Sequence, residues 1–269
     1  MRRAAILLVA FAWVMLSQDR SSKVAEYPSP KVRESQEVVV NGVVERWQLE
    51  WTSEPKPVCE PSEISLTCPC TGFAFGEGGQ LDLVRYREAK EIDRLPLTPL
   101  FDEQFADAGI VAIIQRWATQ DDDFTASLRD GFPQSVAKRK TVQVMHFADY
   151  DHDGSATEFL LQIGTAPCGK QVCVAVGLSK TKPSLHAFGT AMAPDKPLYL
   201  QRRIWEQFRK SNGEIRAESW TCGDHGSEIS TSVLLRATPQ GIDGKWREYS
   251  CPPERRRLIK ETPLSAPLY

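Results

Sequence analysis

The sequence predicts a mainly β, single-domain protein: a sandwich or curled antiparallel meander with one short helix. Three observations carry this. Strand-length runs rich in Val, Ile, Leu, Phe and Thr recur along most of the chain. Asn41-Gly42 sits between two of them, and both residues tolerate the positive φ that a two-residue hairpin turn demands. Only the segment from Asp195 to Gly213 carries helical punctuation, and no internal repeat of fixed period is visible.

In chain order, Met1-Arg2-Arg3 and the 13 apolar residues Ala4 to Leu16 read as a secretory signal peptide over residues 1–17. The run falls short of the roughly 20 apolar residues that span a bilayer. Ser17 and Ser22 are the small residues that suit a cleavage site, an uncleaved anchor being the alternative. No cysteine lies there to carry a lipid. Residues 18–35 are polar, contain Pro28 and Pro30, and read as a disordered leader. The β-rich domain is expected over residues 36–253. Val38 to Val40 and the alternating Trp47, Leu49 and Trp51 flank the Asn-Gly turn. Glu54 to Gly79, rich in Pro, Cys and Gly, reads as an irregular loop held by disulfides. Leu81 to Arg87 and Ile92 to Leu97 alternate and suit a second hairpin across Glu88 to Glu91.

Ile110 to Ile114, Thr141 to Phe147, Glu158 to Ile163, Val172 to Gly177, Leu185 to Gly189, Ile215 to Thr221, Thr231 to Thr238 and Lys245 to Cys251 continue the series of strands. Before the sixth of these, Asp195 as N-cap, Pro197 in the first turn and Asn212-Gly213 past the end bracket a helix whose apolar stripe is Leu198, Ile204, Trp205 and Phe208. Residues 254–269, rich in proline and arginine, read as a flexible tail.

Net charge is −2, or −4 without Arg2 and Arg3. That argues against a nucleic-acid partner, which calls for a strongly basic face. Hydrophobic content of 41% and charged content of 25% are those of a globular chain with no stable membrane insertion of its mature part. Both Asn41 and Asn212 lack the context for N-glycosylation.

The seven cysteines are Cys59, Cys68, Cys70, Cys168, Cys173, Cys222 and Cys251. In an exported chain, periplasmic or extracellular, they read first as disulfides. Cys59 with Cys68 or Cys70, Cys168 with Cys173, and Cys222 with Cys251 are the local pairings, with Cys168 to Cys222 as a long-range alternative. An odd count leaves one thiol free or paired with another chain. Cys222-Gly223-Asp224-His225, with Cys168, Cys173 and His186, holds zinc-type ligands at spacings that match no recognised zinc motif.

The most informative run is Asp149-Tyr150-Asp151-His152-Asp153-Gly154. Carboxylates at alternate positions of a tight loop can all point inward on a hard cation such as Ca²⁺, and glycine permits the turn. Asp149, Asp151 and Asp153 are the expected side-chain ligands, Ser155 offers its carbonyl, and Glu158 is the next carboxylate. The bland alternative is a solvated hairpin turn. The run resembles the calcium loops of EF hands and of FG-GAP repeats over about a dozen residues. The EF-hand glutamate position is Leu160 here, and the later acidic position of FG-GAP loops is Thr157. Strand-like flanks favour the FG-GAP type, which implies a structural Ca²⁺ ion. A propeller built from many such repeats is not expected from a single copy. Thr67-Cys68-Pro69-Cys70-Thr71-Gly72-Phe73-Ala74-Phe75-Gly76-Glu77 and Asp151 to Phe159 also resemble segments of uncharacterised exported bacterial proteins, a likeness that brings no activity.

No G-x-S-x-G elbow, H-E-x-x-H pair or phosphate-binding glycine loop is present. Asp224 and Glu228 beside His225 are the best carboxylate candidates for acid–base chemistry, a polar turn being the alternative. The six tryptophans beyond the signal suit core packing before sugar stacking. Asp121-Asp122-Asp123 reads as a solvated loop. The expected function is therefore a calcium-stabilised binding or structural module, exported, with a protein or carbohydrate ligand. The alternative is a secreted hydrolase acting on polysaccharide or ester.

Overall fold

The computed structural model describes residues 30–63, 73–101, 111–166, 169–251 and 256–264. The signal expected over residues 1–17 lies outside them, as do Cys68, Cys70 and Cys168. In chain order the strands are β1 (Lys31–Val40), β2 (Val43–Trp51), β3 (Lys56–Val58), β4 (Gly76–Gly79), β5 (Leu81–Arg87), β6 (Lys90–Pro96), β7 (Ala112–Gln115), β8 (Glu158–Ala166), β9 (Lys170–Gly177), β10 (His186–Ala187), β11 (Leu200–Gln201), β12 (Glu214–Trp220), β13 (Ile229–Thr238), β14 (Gly241–Ser250) and β15 (Leu258–Pro263). The helices are α1 (Asp123–Ala126), α2 (Phe132–Ala137) and α3 (Arg202–Arg209).

Among the described residues the strands form four antiparallel sheets, none closed into a barrel, and the fold is mainly β. The first has the order β1-β2-β5-β6 and the second β3-β4-β7. In the third, β9 pairs with β8 along one edge and with β10 and β11 along the other. The fourth is a meander, β12-β13-β14-β15. Asn41 and Gly42, at φ +51° and +78°, make the expected β1–β2 turn.

The third sheet is the middle layer, because its side chains serve two cores. Phe159, Leu161 and Ile163 of β8, with Val172, Val174 and Val176 of β9, pack with Trp47, Leu49, Leu81 and Leu83 of the first sheet. Leu160, Cys173 and Ala175 point the other way, to Ile204, Trp205 and Phe208 of α3 and to Ile215, Val233 and Leu235 of the fourth sheet. Strands buried on both faces need apolar residues at consecutive positions, which is why β8 is apolar over Phe159 to Leu161 and β9 over Val172 to Val176. Each large side chain so buried stabilises the fold by roughly 2–3 kcal/mol over leaving it in water.

Several expectations are corrected. The helix starts at Arg202, well after Asp195, because Leu200 and Gln201 pair with Cys173 and Val172 of β9 and are spent as strand. Its stripe of Ile204, Trp205 and Phe208 is buried as expected, and Leu198 is buried outside the helix. Among the described residues there are three α-helices where one helix was expected. α1 owes its anchor to Asp123, only 3% exposed, whose carboxylate takes two hydrogen bonds from Arg139 at 2.5 and 2.9 Å. Asp123 is thus no part of a solvated loop. The segment Glu54 to Gly79 contains β3 and β4, paired with each other.

Residues 141–147 are extended but join no ladder, because side chains of β1 satisfy their backbone instead. Glu34 accepts from the Val144 and Met145 N–H groups at 2.7 and 3.1 Å, Arg33 donates to the Val142 carbonyl at 2.8 Å, and Gln36 donates to that of Met145 at 2.6 Å. Lys31 to Ser35 are accordingly strand and not leader. The expected tail likewise contributes β15, paired with β14. Beyond it Leu264 seats so closely on Gly244 that a Cβ there would lie 2.5 Å from Leu264 Cδ1.

Cys222 and Cys251 form a disulfide across the fourth sheet, which removes the Cys168–Cys222 alternative. Cys59 is disulfide-bonded as well. Cys173 is a free, fully buried thiol, so the Cys168–Cys173 pairing is also corrected: β-alternation turns Cys173 into the second core, against Trp205.

Candidate metal centre

The acidic loop joins the extended segment 141–148 to β8. Its ends are clamped by two backbone hydrogen bonds, Ala148 N–H to the Glu158 carbonyl at 2.8 Å and Glu158 N–H to the Ala148 carbonyl at 3.3 Å. Between them the chain reverses through His152 and Gly154, at φ +61° and +88°. Carboxylates hold the turn from within, as short polar side chains do in tight loops. Asp149 accepts from the N–H groups of Asp153 and Gly154 at 3.1 and 2.9 Å, and Asp151 accepts from Asp153 N–H at 3.0 Å.

The loop is fixed to its neighbours on both sides. Tyr150 buries its ring edge-on against Trp205 and donates its hydroxyl to Glu206 of α3 at 2.9 Å. The His152 ring meets Phe208 edge-on, with Nε2 3.0 Å from the Phe208 carbonyl. On the other side Asp153 accepts from Lys180 N–H at 2.7 Å, and the Lys180 ammonium donates to the Asp153 carbonyl. Gly177 of β9 permits the closest approach, since a Cβ there would lie 2.2 Å from the Thr157 carbonyl oxygen.

Of the five expected ligands the fold brings three together. Oxygens of Asp149, Asp151 and Glu158 all lie within 4.8 Å of one another. Asp153 is not in this group: it faces the Ser155 and Lys180 N–H groups, at 2.8 and 2.7 Å. Ser155 contributes its N–H to that turn. Glu158 is fully buried and Asp151 is 7% exposed. Glu158 accepts from Tyr150 N–H at 2.7 Å and from the Thr157 hydroxyl at 2.9 Å. Thr157, the position where FG-GAP loops carry an acid, therefore orients the carboxylate that follows it.

The electrostatics are those of a buried acidic cluster in which ionisation is disfavoured. Burial, with the charges of Asp151 and Asp153 added, pushes the Glu158 carboxyl up to about 9. Burial and the charges of Asp153 and Asp149 push Asp151 up to about 7. Among the described residues, no lysine or arginine forms an ion pair with Asp149, Asp151 or Glu158. Like charges held close in a dry site disfavour ionisation unless a cation offsets them. The donors are all carboxylate oxygens, the set that suits a hard cation and not a thiophilic one.

The other candidates separate. Cys222 is spent in its disulfide, which takes the thiolate from the zinc-type set. His186 stacks on Phe188 at 4.5 Å and bonds the Ser184 carbonyl through Nδ1. Asp224 pairs with Lys170 at 3.0 Å, Glu228 is exposed, and the side chain of His225 lies outside the described residues. Trp47, Trp51 and Trp205 are core residues, at 2% exposure or less. Comparison of the chain with protein-family models, with curated proteins and with solved structures found no match.

Sequence reasoning missed what Tyr150 N–H and the Thr157 hydroxyl do for Glu158. Neither carries a motif; their roles depend on how the loop closes.

Proposed function

We propose that the protein is an exported, calcium-stabilised binding or structural module. The convergence of Asp149, Asp151 and Glu158, two of them buried with no cationic partner among the described residues, supports a cation. Those three residues would hold it, and its positive charge would offset theirs. The loop ties α3 through Tyr150 and His152 and leads directly into β8, so a cation there would stiffen the junction of the two cores. Support for export is the basic and apolar N-terminus together with the Cys222–Cys251 disulfide. The hydrolase reading finds no comparable support, since Asp224 is held by Lys170.

Thermal melting of the metal-stripped protein with and without Ca²⁺ tests the reading. At a Ca²⁺ concentration 100 times Kd, binding stabilises the folded state by about 2.7 kcal/mol. Asp151→Asn should raise the melting temperature of the metal-free protein, by removing a like charge, and abolish the response to Ca²⁺. Superimposable curves with and without the ion for the parent would refute the cation.

A further inference from the structure

β8 is the outer strand of the middle layer, and among the described residues one of its edges carries no ladder. Strand geometry says which groups lie on that edge. Glu158 exchanges both backbone hydrogen bonds with Ala148, so its N–H and C=O point away from β9. Alternation then turns the N–H and C=O of Leu160 and Gln162 the same way, while those of Phe159 and Leu161 face β9. Among the described residues, no backbone or side-chain group hydrogen-bonds the main chain of Leu160 or Gln162 on that edge.

This edge opens into a groove of about 430 Å³, the far wall of which includes Ile114, Val142 and Val144. The wall segment 141–147 directs much of its backbone to β1 and offers β8 no ladder. Unpaired strand edges on a flat surface invite indiscriminate pairing, and recessing one in a groove restricts it to a single inserted strand. Arg202, the first residue of α3, also lines the groove. Its Nε is buried without a hydrogen-bond partner, while its side chain also reaches the Cys173 thiol, and Glu206, which lines the same groove, is engaged by Tyr150 and Arg209.

We propose that this groove binds an extended polypeptide segment of a partner protein, which adds to the β8 edge through Leu160 and Gln162 and presents an acidic side chain to Arg202. Main-chain pairing supplies a ladder that any sequence can make, while wall pockets and one charge supply selectivity. Leu160 and Gln162 offer two N–H and two C=O groups, spaced for alternate residues of the incoming strand. The inference rests on the binding-module reading but does not require the cation.

The test uses full-length protein and three seven-residue peptides of alternating valine and threonine: one with a central glutamate, one with a central lysine, and the glutamate peptide N-methylated on alternate amides. In the free protein the Leu160 and Gln162 amides should exchange with deuterium on the order of 100-fold faster than that of Leu161, as unpaired edge groups do. The glutamate peptide should slow both. The lysine and N-methylated peptides should not, and Arg202→Gln should weaken binding of the glutamate peptide about 10-fold, the loss of one charge-assisted contact. Slow exchange of Leu160 and Gln162 in the free protein would overturn the proposal. So would equal behaviour of the three peptides, binding or not, with a folded protein. An intact Ca²⁺ response beside that result would leave the cation standing and remove only the groove.

Discussion

At the scale of single residues, two buried carboxylates behave oppositely because of what faces them. Asp123 meets the Arg139 guanidinium, whose hydrogen bonds hold its carboxyl below the usual carboxylate range. Glu158 has no cationic partner among the described residues, and burial, with the charges of Asp151 and Asp153 added, drives it upward. The first is a structural pair with a definite pH signature. A depressed folded value means that the pair's stabilisation is fully present above the unfolded value, about 3.9, and is lost as pH falls through the folded one. Asp123→Asn leaves Arg139 half-partnered and should cost about 3 kcal/mol at pH 7, the low end for removing one partner of a buried pair. It should also flatten the fall of stability below pH 4, as read from urea midpoints at a series of pH values. An unchanged acid profile would show that Asp123 titrates as it does in the unfolded chain. The consecutive run Asp121 to Asp123 held no sign of this, because Arg139 lies 16 residues away and only the fold around α1 and α2 brings it back.

At the scale of elements, strand alternation was the legible part. The Asn41-Gly42 hairpin, β5 with β6, and the fourth-sheet strands β12, β13 and β14 lie where period-two patterning and turn chemistry put them. Position-specific departures came from tertiary pairing. β11 takes the residues that Asp195 and Pro197 seemed to commit to a helix, and residues 141–147 give up their ladder to the side chains of Arg33, Glu34 and Gln36. Gly177 shows the same coupling at the candidate site. It reads as the end of an apolar strand, yet its lack of a side chain is what lets β9 reach Thr157. Gly177→Ala must push the strand and loop apart, costing roughly 3 kcal/mol by overpacking. It should also weaken Ca²⁺ binding, because Thr157 orients Glu158. Wild-type melting and affinity in that variant would mean that the approach is not required.

At the scale of the whole molecule, three layers share one middle sheet, and residues far apart in sequence hold them together. Fold class was readable because the centres of β8 and β9, Phe159 to Leu161 and Val172 to Val176, are apolar at consecutive positions, the mark of strands covered on both faces. Which polar residues serve the layers was not readable, since their partners lie about a hundred positions away. Arg33 and Glu34 are the clearest case. Removing residues 1–35 should therefore lower the melting temperature by several degrees, whereas removing residues 1–29 should not. Equal losses for the two truncations would show that β1 contributes nothing through these contacts. The candidate site was half legible for the same reason. The spacing of Asp149 and Asp151, with Glu158 as the next carboxylate, pointed to it, but loop closure turned Asp153 away. The central claim is that Asp149, Asp151 and Glu158 hold the cation. Its most direct test is calorimetric titration of the metal-stripped protein with Ca²⁺, beside Glu158→Gln and Asp153→Asn. The account predicts binding by the parent, none by Glu158→Gln and nearly parental binding by Asp153→Asn. No heat from a folded parent, or binding lost with Asp153→Asn and kept with Glu158→Gln, would contradict it.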